Sequence, residues 1–331
     1  MKSHKKILII RFKAIGDVVL TLPAVHAVRE NFPDAHITFF TVKENASLLQ
    51  GFREVDQVIA IDRAALKTPL RTVPEFFSLF RRLRAGKFSL VIDLQGYGET
   101  AWLTRLTGAP ERWGTVYGRG REWAYTRGLK RNEDMHPAEG NLQLLRECGL
   151  KTGPIQNQFF LPEDALTAAK KIFAEHQLDW AKRTLFLQPF TSSPPKNWSL
   201  NNYLSVAQHW RERGLQVIFG GGPGDLAALE PARAQNFPVL AGVPLLVTGG
   251  LMQLSTLVLG GDTGMLHLAL AQGTRALMLV SNLSPGRPIL FQHRDWVLAA
   301  PRADQLDSIT VETVLAETGR VFNPPVYNAS C

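Results

Sequence analysis

Several polar groups stand directly after short apolar runs, where side chains and backbone amides can work on a hydroxylated or phosphorylated ligand. Asp17 closes KILIIRFKAIGD and opens an apolar-periodic stretch. A carboxylate there can cap the helix that follows, or it can act as a general base at the strand end. Gly16 beside it lets another group come close to the backbone. After TLFLQPF comes TSSPPKNWSL, a stiff loop with Thr191, Ser192 and a single Lys196. That cation suits a phosphate, and its plain alternative is a solvated lysine. FGGGPGD sets Gly222 and Asp225 at the opening of a further helix. The glycines can make a tight turn, or they can let a nucleotide lie on the backbone while Asp225 accepts from ribose hydroxyls.

The segment GGDTGMLHLALAQG, residues 260–273, carries the strongest signal. Asp262 or Thr263 can cap the small-residue helix that begins there. Alternatively Thr263 and Gly264 expose first-turn amides to a pyrophosphate, an anion that the helix dipole favours. His267 follows one turn on, about 6 Å along the axis, either as a core residue or projecting toward that phosphate. In residues 112–131, Arg112, Arg119, Arg121, Arg127, Lys130 and Arg131 face a single acid, Glu122. Such a glycine-punctuated basic loop fits the phosphates or carboxylates of an acceptor, or else forms a solvated face. No nucleic-acid-binding module accompanies it, so nucleic acid is not an expected partner.

The elements that must hold these groups repeat twice. KILIIRF, HITFFTV, QVIAID and SLVIDLQG alternate with helix-length segments, and the rhythm restarts with TLFLQPF, QVIFGGG, PVLAGV, TLVLGGD and RALMLVS. This is the βαβ pattern of parallel sheets, so two doubly wound Rossmann-like α/β domains are expected, over residues 1–165 and 178–305. The break lies at 152–182, and ligands are expected beyond the strands' carboxyl ends, in a cleft between the domains.

The chain has 331 residues, 45% hydrophobic and 20% charged, with net charge +8. Twenty-four cations and 18 acids fall in residues 1–165, so the first half is the one expected to meet an anion. Cys148 and Cys331 are too few for a disulfide framework or a structural zinc or iron–sulfur site. No run of 18 apolar residues occurs, and the amino terminus has only four aliphatic residues in its apolar run. The expected location is the cytoplasm, with any membrane contact peripheral, on the cytoplasmic face of the inner membrane. A dehydrogenase is disfavoured because GxGxxG follows neither first strand. A sugar-nucleotide epimerase would need no acceptor and hence no basic aromatic loop. A two-lobed periplasmic binding protein would need an export signal.

GDVVLTLPA, DLQG, GGPGD and GGDTGMLHLALAQG, in this order and strand context, resemble the heptosyltransferases of glycosyltransferase family 9 over residues 5 to about 290. The resemblance implies a GT-B fold, with the acceptor on the first domain, a nucleotide sugar on the second, and a carboxy-terminal helix, about 308–320, crossing back to complete the first domain. It implies inverting transfer of heptose from ADP-heptose to the lipopolysaccharide inner core, an anionic lipid-linked saccharide. Asp17 is then the catalytic base and Lys196 the cation on the diphosphate. Thr191, Ser192, Gly222, Asp225, Asp262, Thr263, Gly264 and His267 bind the donor, and Gln95, Arg112, Arg119 and Arg121 bind the acceptor. No cofactor or metal is expected, since the chain contains no DxD.

Overall fold

Aliphatic runs with almost no polar interruption form the strands, because a parallel strand is covered on both faces and cannot alternate. In the computed structural model the described residues are 4–62, 69–118, 120–154, 157–290, 292–303 and 305–323, without the side chains of 69–76. Among them the chain divides into two units, residues 1–160 with 285–287, and 161–284 with 288–331. The division after residue 160 lies inside the stretch where the sequence periodicities break.

The first unit runs β1 Lys6–Ile10, α1 Ile15–Val19, α2 Leu22–Asn31, β2 His36–Val42, α3 Lys43–Ala46, β3 Gln57–Ile61, α4 Pro69–Ala85, β4 Leu90–Asp93, α5 Gly98–Leu106, β5 Glu111–Val116, β6 Arg127–Lys130 and α6 Pro137–Glu147. Its six strands are parallel, in the order β3-β2-β1-β4-β5-β6. Ile7 to Ile10 are fully buried, and Phe12, Phe40, Leu83 and Val91 pack around Leu8 and Ile10. β5 and β6 occupy much of what the sequence presents as a basic loop. ERWGTV and RGLK lack the aliphatic signature because they lie toward the sheet edge, where charged side chains reach solvent.

The second unit runs α7 Glu163–Glu175, β7 Thr184–Gln188, α8 Leu200–Arg211, β8 Gln216–Gly221, α9 Glu230–Ala234, β9 Val239–Ala241, α10 Leu245–Gln253, β10 Leu257–Gly261, α11 Gly264–Ala271, β11 Ala276–Val280, β12 Val297–Ala299 and α12 Val311–Phe322. Its parallel order, β12-β11-β10-β7-β8-β9, repeats that of the first sheet. Trp198, Tyr203, Trp210 and Phe219 belong to one core, and Phe173, Phe186, Met252 and Met278 to another. α12 forms close to the expected place and packs on α8 of the second unit. Trp210 Nε1 donates to Thr318 Oγ1 at 3.0 Å, Trp198 Nε1 donates to the Ile309 carbonyl at 2.9 Å, and Phe322 lies against the Trp210 ring. Amphipathic spacing announces a helix without saying which apolar surface will cover it.

Candidate active site

In each sheet the chain switches winding direction between two adjacent strands, β1 and β4 in the first unit, β7 and β10 in the second. Strand ends diverge there, which leaves room for a ligand beyond their carboxyl edges. Asp17 and Gln95 lie at the first of these places, and Lys196, Asp262, Thr263, Gly264 and His267 at the second, whereas Gly222 and Asp225 follow β8.

At the first switch point, Arg11 follows β1 and is 7% exposed. Its guanidinium donates to the Leu94 carbonyl, and its Nη2 lies 2.8 Å from Asp17 Oδ2. Asp17 is the third residue of α1, not its cap. Ala14 holds the cap position in extended conformation, and its amide donates to Asp17 Oδ2 at 2.9 Å. Both contacts fall on one carboxylate oxygen, so Oδ1 remains open to a proton from elsewhere. Gln95 is buried, and its Oε1 accepts from the amides of Phe12 (3.1 Å) and Lys13 (3.3 Å). It thereby shapes the loop that carries Asp17.

Behind Gln95, the fully buried Asp93 accepts from the amides of Gln95 and Gly96, both at 2.9 Å, and from Tyr125 Oη at 2.7 Å. Burial pushes its carboxyl pKa above the ordinary range, against the pull of those donors. Burial, with Asp93 adding to it, likewise raises the Tyr125 phenol, so this pair is a structural knot under the DLQG turn. Arg121 donates to the Gly96 carbonyl at 3.3 Å, which brings one predicted acceptor ligand to this edge. Tyr117, packed edge-on to Tyr97, accepts from Arg131. Burial raises its phenol pKa; Arg131 and Arg11 oppose that shift, and Tyr97 and Asp17 add to it.

At the second switch point, Lys196 Nζ lies 2.7 Å from Asp262 Oδ2. The Asp262 side chain is 6% exposed, whereas that of Lys196 is 37% exposed and keeps donors for a ligand. The lysine loop is fixed from inside: Thr191 N donates to Asn197 Oδ1 at 2.8 Å, and Thr191 Oγ1 donates to the Ser193 carbonyl at 2.9 Å. Gly261 permits this approach, because a Cβ there would stand 2.7 Å from the Lys196 carbonyl and 3.0 Å from Thr191 Cγ2. Ser192 is exposed on the same loop.

Thr263 caps α11 by position, with no side-chain capping bond, and Gly264 is the first helical residue. The first amides of such a helix point outward with the positive end of its dipole. His267 is 3% exposed, with Nε2 4.0 Å from Asp262 Oδ1, so it lines the interior side of that carboxylate instead of facing solvent. Asp225 Oδ2 accepts from the Gly222 amide at 2.7 Å, closing the glycine turn after β8.

Arg112 is partly occupied within the first unit. It lies in register with Val91, two residues before the end of β4, and its guanidinium donates to the carbonyls of Ala124 (2.8 Å) and Ala109 (2.5 Å). Two of its donors thus fasten backbone. Arg119 lies outside the described residues. Arg11, Asp93 and Tyr117 were not singled out from the sequence, and Arg131 was named only as one cation of the basic segment. For Arg11 a signal existed, a lone cation wedged between ILII and Phe12, where exposure is improbable.

Among the described residues, no three His, Cys, Asp or Glu side chains come together as a metal-binding group, and no helix is long and apolar enough to cross a membrane. Two doubly wound units with an anchored carboxylate at one switch point and a cation beside a helix amino terminus at the other define a GT-B glycosyltransferase. The chain belongs to glycosyltransferase family 9 (heptosyltransferase), whose sequence model matches residues 76–308. It is 24% identical over 310 residues to the lipopolysaccharide core heptosyltransferase OpsX of Haemophilus influenzae, covering 90% of this chain and 85% of the relative. The fold matches that of the family 9 glycosyl transferase of Veillonella parvula with a TM-score of 0.85, at 20% identity over 96% of this chain and 97% of that one. It also matches Escherichia coli heptosyltransferase WaaC with ADP-2-deoxy-2-fluoro heptose, with a TM-score of 0.74 at 20% identity, over 95% and 99% of the two chains.

Proposed function

We propose that this enzyme transfers heptose from ADP-heptose to the inner core of lipopolysaccharide, with inversion at the anomeric carbon and without a metal ion. The observation that carries this reading is a tethered carboxylate at the switch point of the first unit and a cation beside a helix amino terminus at that of the second, the two groups such a transfer needs. In this reading the first unit binds the acceptor and the second the donor. The names of the similar proteins, a lipopolysaccharide core heptosyltransferase and a heptosyltransferase with an ADP-heptose analogue, support the choice of ligands.

Asp17 Oδ1 takes the proton of the acceptor hydroxyl as its oxygen attacks the anomeric carbon. The bond from that carbon to the diphosphate oxygen breaks on the opposite face, so a single displacement inverts the centre. The leaving ADP gains negative charge, and Lys196 with the first amides of α11 receives it where charge develops. Asp262 keeps Lys196 in place through one donor and leaves its others for phosphate oxygens. Asp225 and Gly222 form the floor for the ribose, and His267 supports Asp262 from within. Gln95 and Arg121 border the acceptor side. The sequence contains no DxD, which agrees with this cation-and-dipole arrangement.

The test is turnover of ADP-heptose with a lipid A–Kdo acceptor, followed by analysis of the linkage. A heptosylated product of inverted configuration, at a rate unchanged by EDTA, is expected. Inhibition by EDTA that magnesium restores overturns the metal-free mechanism. Preference for a UDP-, GDP- or CDP-sugar overturns the donor.

A further inference from the structure

Seven large hydrophobic side chains stand exposed among the described residues, and four of them belong to the first unit: Phe77 (63%), Trp102 (60%), Trp123 (45%) and Tyr97 (41%). Phe77 is on α4, Trp102 on α5, and Trp123 on the short 3-10 turn over 122–124 that joins β5 to β6. Right-handed crossovers from β3 to β4, β4 to β5 and β5 to β6 put these three elements on one side of the sheet, where α5 packs beside both α4 and the 3-10 turn. Trp102 and Trp123 meet edge to face with ring centroids 4.6 Å apart, so two indoles form a single raised apolar patch.

Cations surround it. Arg81 and Arg82 follow Phe77 by four and five residues on α4, and Arg105 lies one turn after Trp102 on α5, all of them exposed. Arg121 precedes Trp123 by two residues. The exposed acids beside them are Glu99 and Glu122. Folding alone gives no reason to leave two tryptophans in water at the centre of a positive face, and a second copy of the same face would be repelled by it. An anionic bilayer answers both features, since indoles favour the polar–apolar boundary and basic side chains are drawn to acidic headgroups.

We propose that the face formed by α4, α5 and the 122–124 turn docks the enzyme on an anionic lipid surface, with Trp102 and Trp123 entering the headgroup layer and Arg81, Arg82 and Arg105 holding acidic lipid phosphates. The docking face adjoins the first switch point. Trp102 is four residues, about 6 Å along the helix, from Gly98 at the start of α5, and Tyr97 just before it belongs to the Tyr117 cluster. A docked enzyme therefore has its acceptor edge close to the membrane.

The experiment is sedimentation of the purified full chain with vesicles of phosphatidylglycerol and phosphatidylethanolamine, and with vesicles of phosphatidylcholine alone. Neither contains a saccharide, so failure here is separate from failure of the proposed sugar transfer. Binding to the anionic vesicles, weakening with salt, is expected, with little binding to phosphatidylcholine. Trp102→Ser with Trp123→Ser should weaken binding roughly tenfold or more. Arg81→Gln, Arg82→Gln and Arg105→Gln together should weaken it about a hundredfold at low salt and flatten its salt dependence. Both variants should retain wild-type turnover on a delipidated, soluble acceptor. As a measurement that needs no variant, brominated lipid should quench tryptophan emission of the wild type. No binding to anionic vesicles, binding unaffected by either set of substitutions, or absence of quenching overturns the proposal. So does a wild-type dimer in solution that the tryptophan substitutions dissociate.

Discussion

Arg11 Nη2 sits 2.8 Å from Asp17 Oδ2, and the same buried guanidinium holds the Leu94 carbonyl at the end of β4. The carboxylate assigned as general base is therefore aimed by a strand end, through a rigid planar fork, and not by its own short helix alone. Asp17→Asn retains an oxygen for Arg11 and the Ala14 amide while removing the base. kcat should fall by about 10² to 10⁴, with a stability loss of only about 1 kcal/mol, read from initial rates and a thermal melt. Near-normal turnover in the folded variant would leave Asp17 only its structural contacts with Arg11 and the Ala14 amide.

Arg11→Lys keeps the charge but replaces a two-ended fork with a point donor, which cannot serve Leu94 and Asp17 in the same geometry. A misaimed base should lower kcat about ten- to a hundredfold, while donor affinity measured by calorimetry stays unchanged. A loss of donor affinity equal to the loss of rate would place Arg11 in a different role.

Lys196→Ala removes both the proposed diphosphate cation and the partner of a nearly buried carboxylate. Leaving Asp262 without its ammonium partner should cost about 1 kcal/mol, the low end for such groups because Lys196 is partly exposed and His267 stays beside the carboxylate. Nucleoside-diphosphate binding should weaken, and kcat should fall about a hundredfold as well, since charge on the leaving group is greatest in the transition state. A change confined to KM would mean that the lysine binds the ground state and the transition state alike.

Gly261→Ala tests the lysine loop without touching a charge. The new methyl would meet the Lys196 carbonyl at 2.7 Å and Thr191 Cγ2 at 3.0 Å, so the 191–196 loop must shift. Donor Kd should rise about tenfold or more, while the first unit's hydrogen exchange stays as in the wild type.

The stability of the first unit should carry a pH signature from Asp93. Burial raises its carboxyl pKa, so the folded chain binds that proton more tightly than the unfolded chain does. The resulting contribution is full below the ordinary carboxylate value of about 3.9 and is lost as pH rises through the raised one. Asp93→Asn can keep both amide bonds on Oδ1 and donate from Nδ2 to the Tyr125 oxygen. Its melting temperature should therefore decline less than that of the wild type between about pH 4 and pH 7. Parallel pH profiles would show that Asp93 does not titrate differently on folding.

Asp17, Lys196 and Asp262 could be read from the sequence because each is a polar residue soon after an apolar run, and in a parallel sheet that position is the ligand edge. The partners of these residues could not. Arg11 reaches the Leu94 carbonyl, and so ties Asp17 to a second strand, only because β4 lies beside β1, and Lys196 meets Asp262 only because β10 lies beside β7. The backbone contacts of Arg112 were hidden for a related reason: a basic run has the same composition whether its guanidiniums face solvent or bind carbonyls such as those of Ala109 and Ala124. β5 and β6 escaped notice because edge-side strands tolerate charge, and β12 because it spans only Val297–Ala299.

The seat of α12 on α8 also sets an order of events during synthesis. All six strands of the first sheet precede residue 131, so that sheet can assemble while the remainder is still being translated. In the second unit, β7 emerges about seventy residues before its central neighbour β10, and the Trp210 indole waits longer still for Thr318 and Phe322. A ribosome-bound chain stopped short of residue 311 would thus carry a finished first sheet and an uncovered tryptophan-bearing helix, the state on which a holding chaperone would be expected to act.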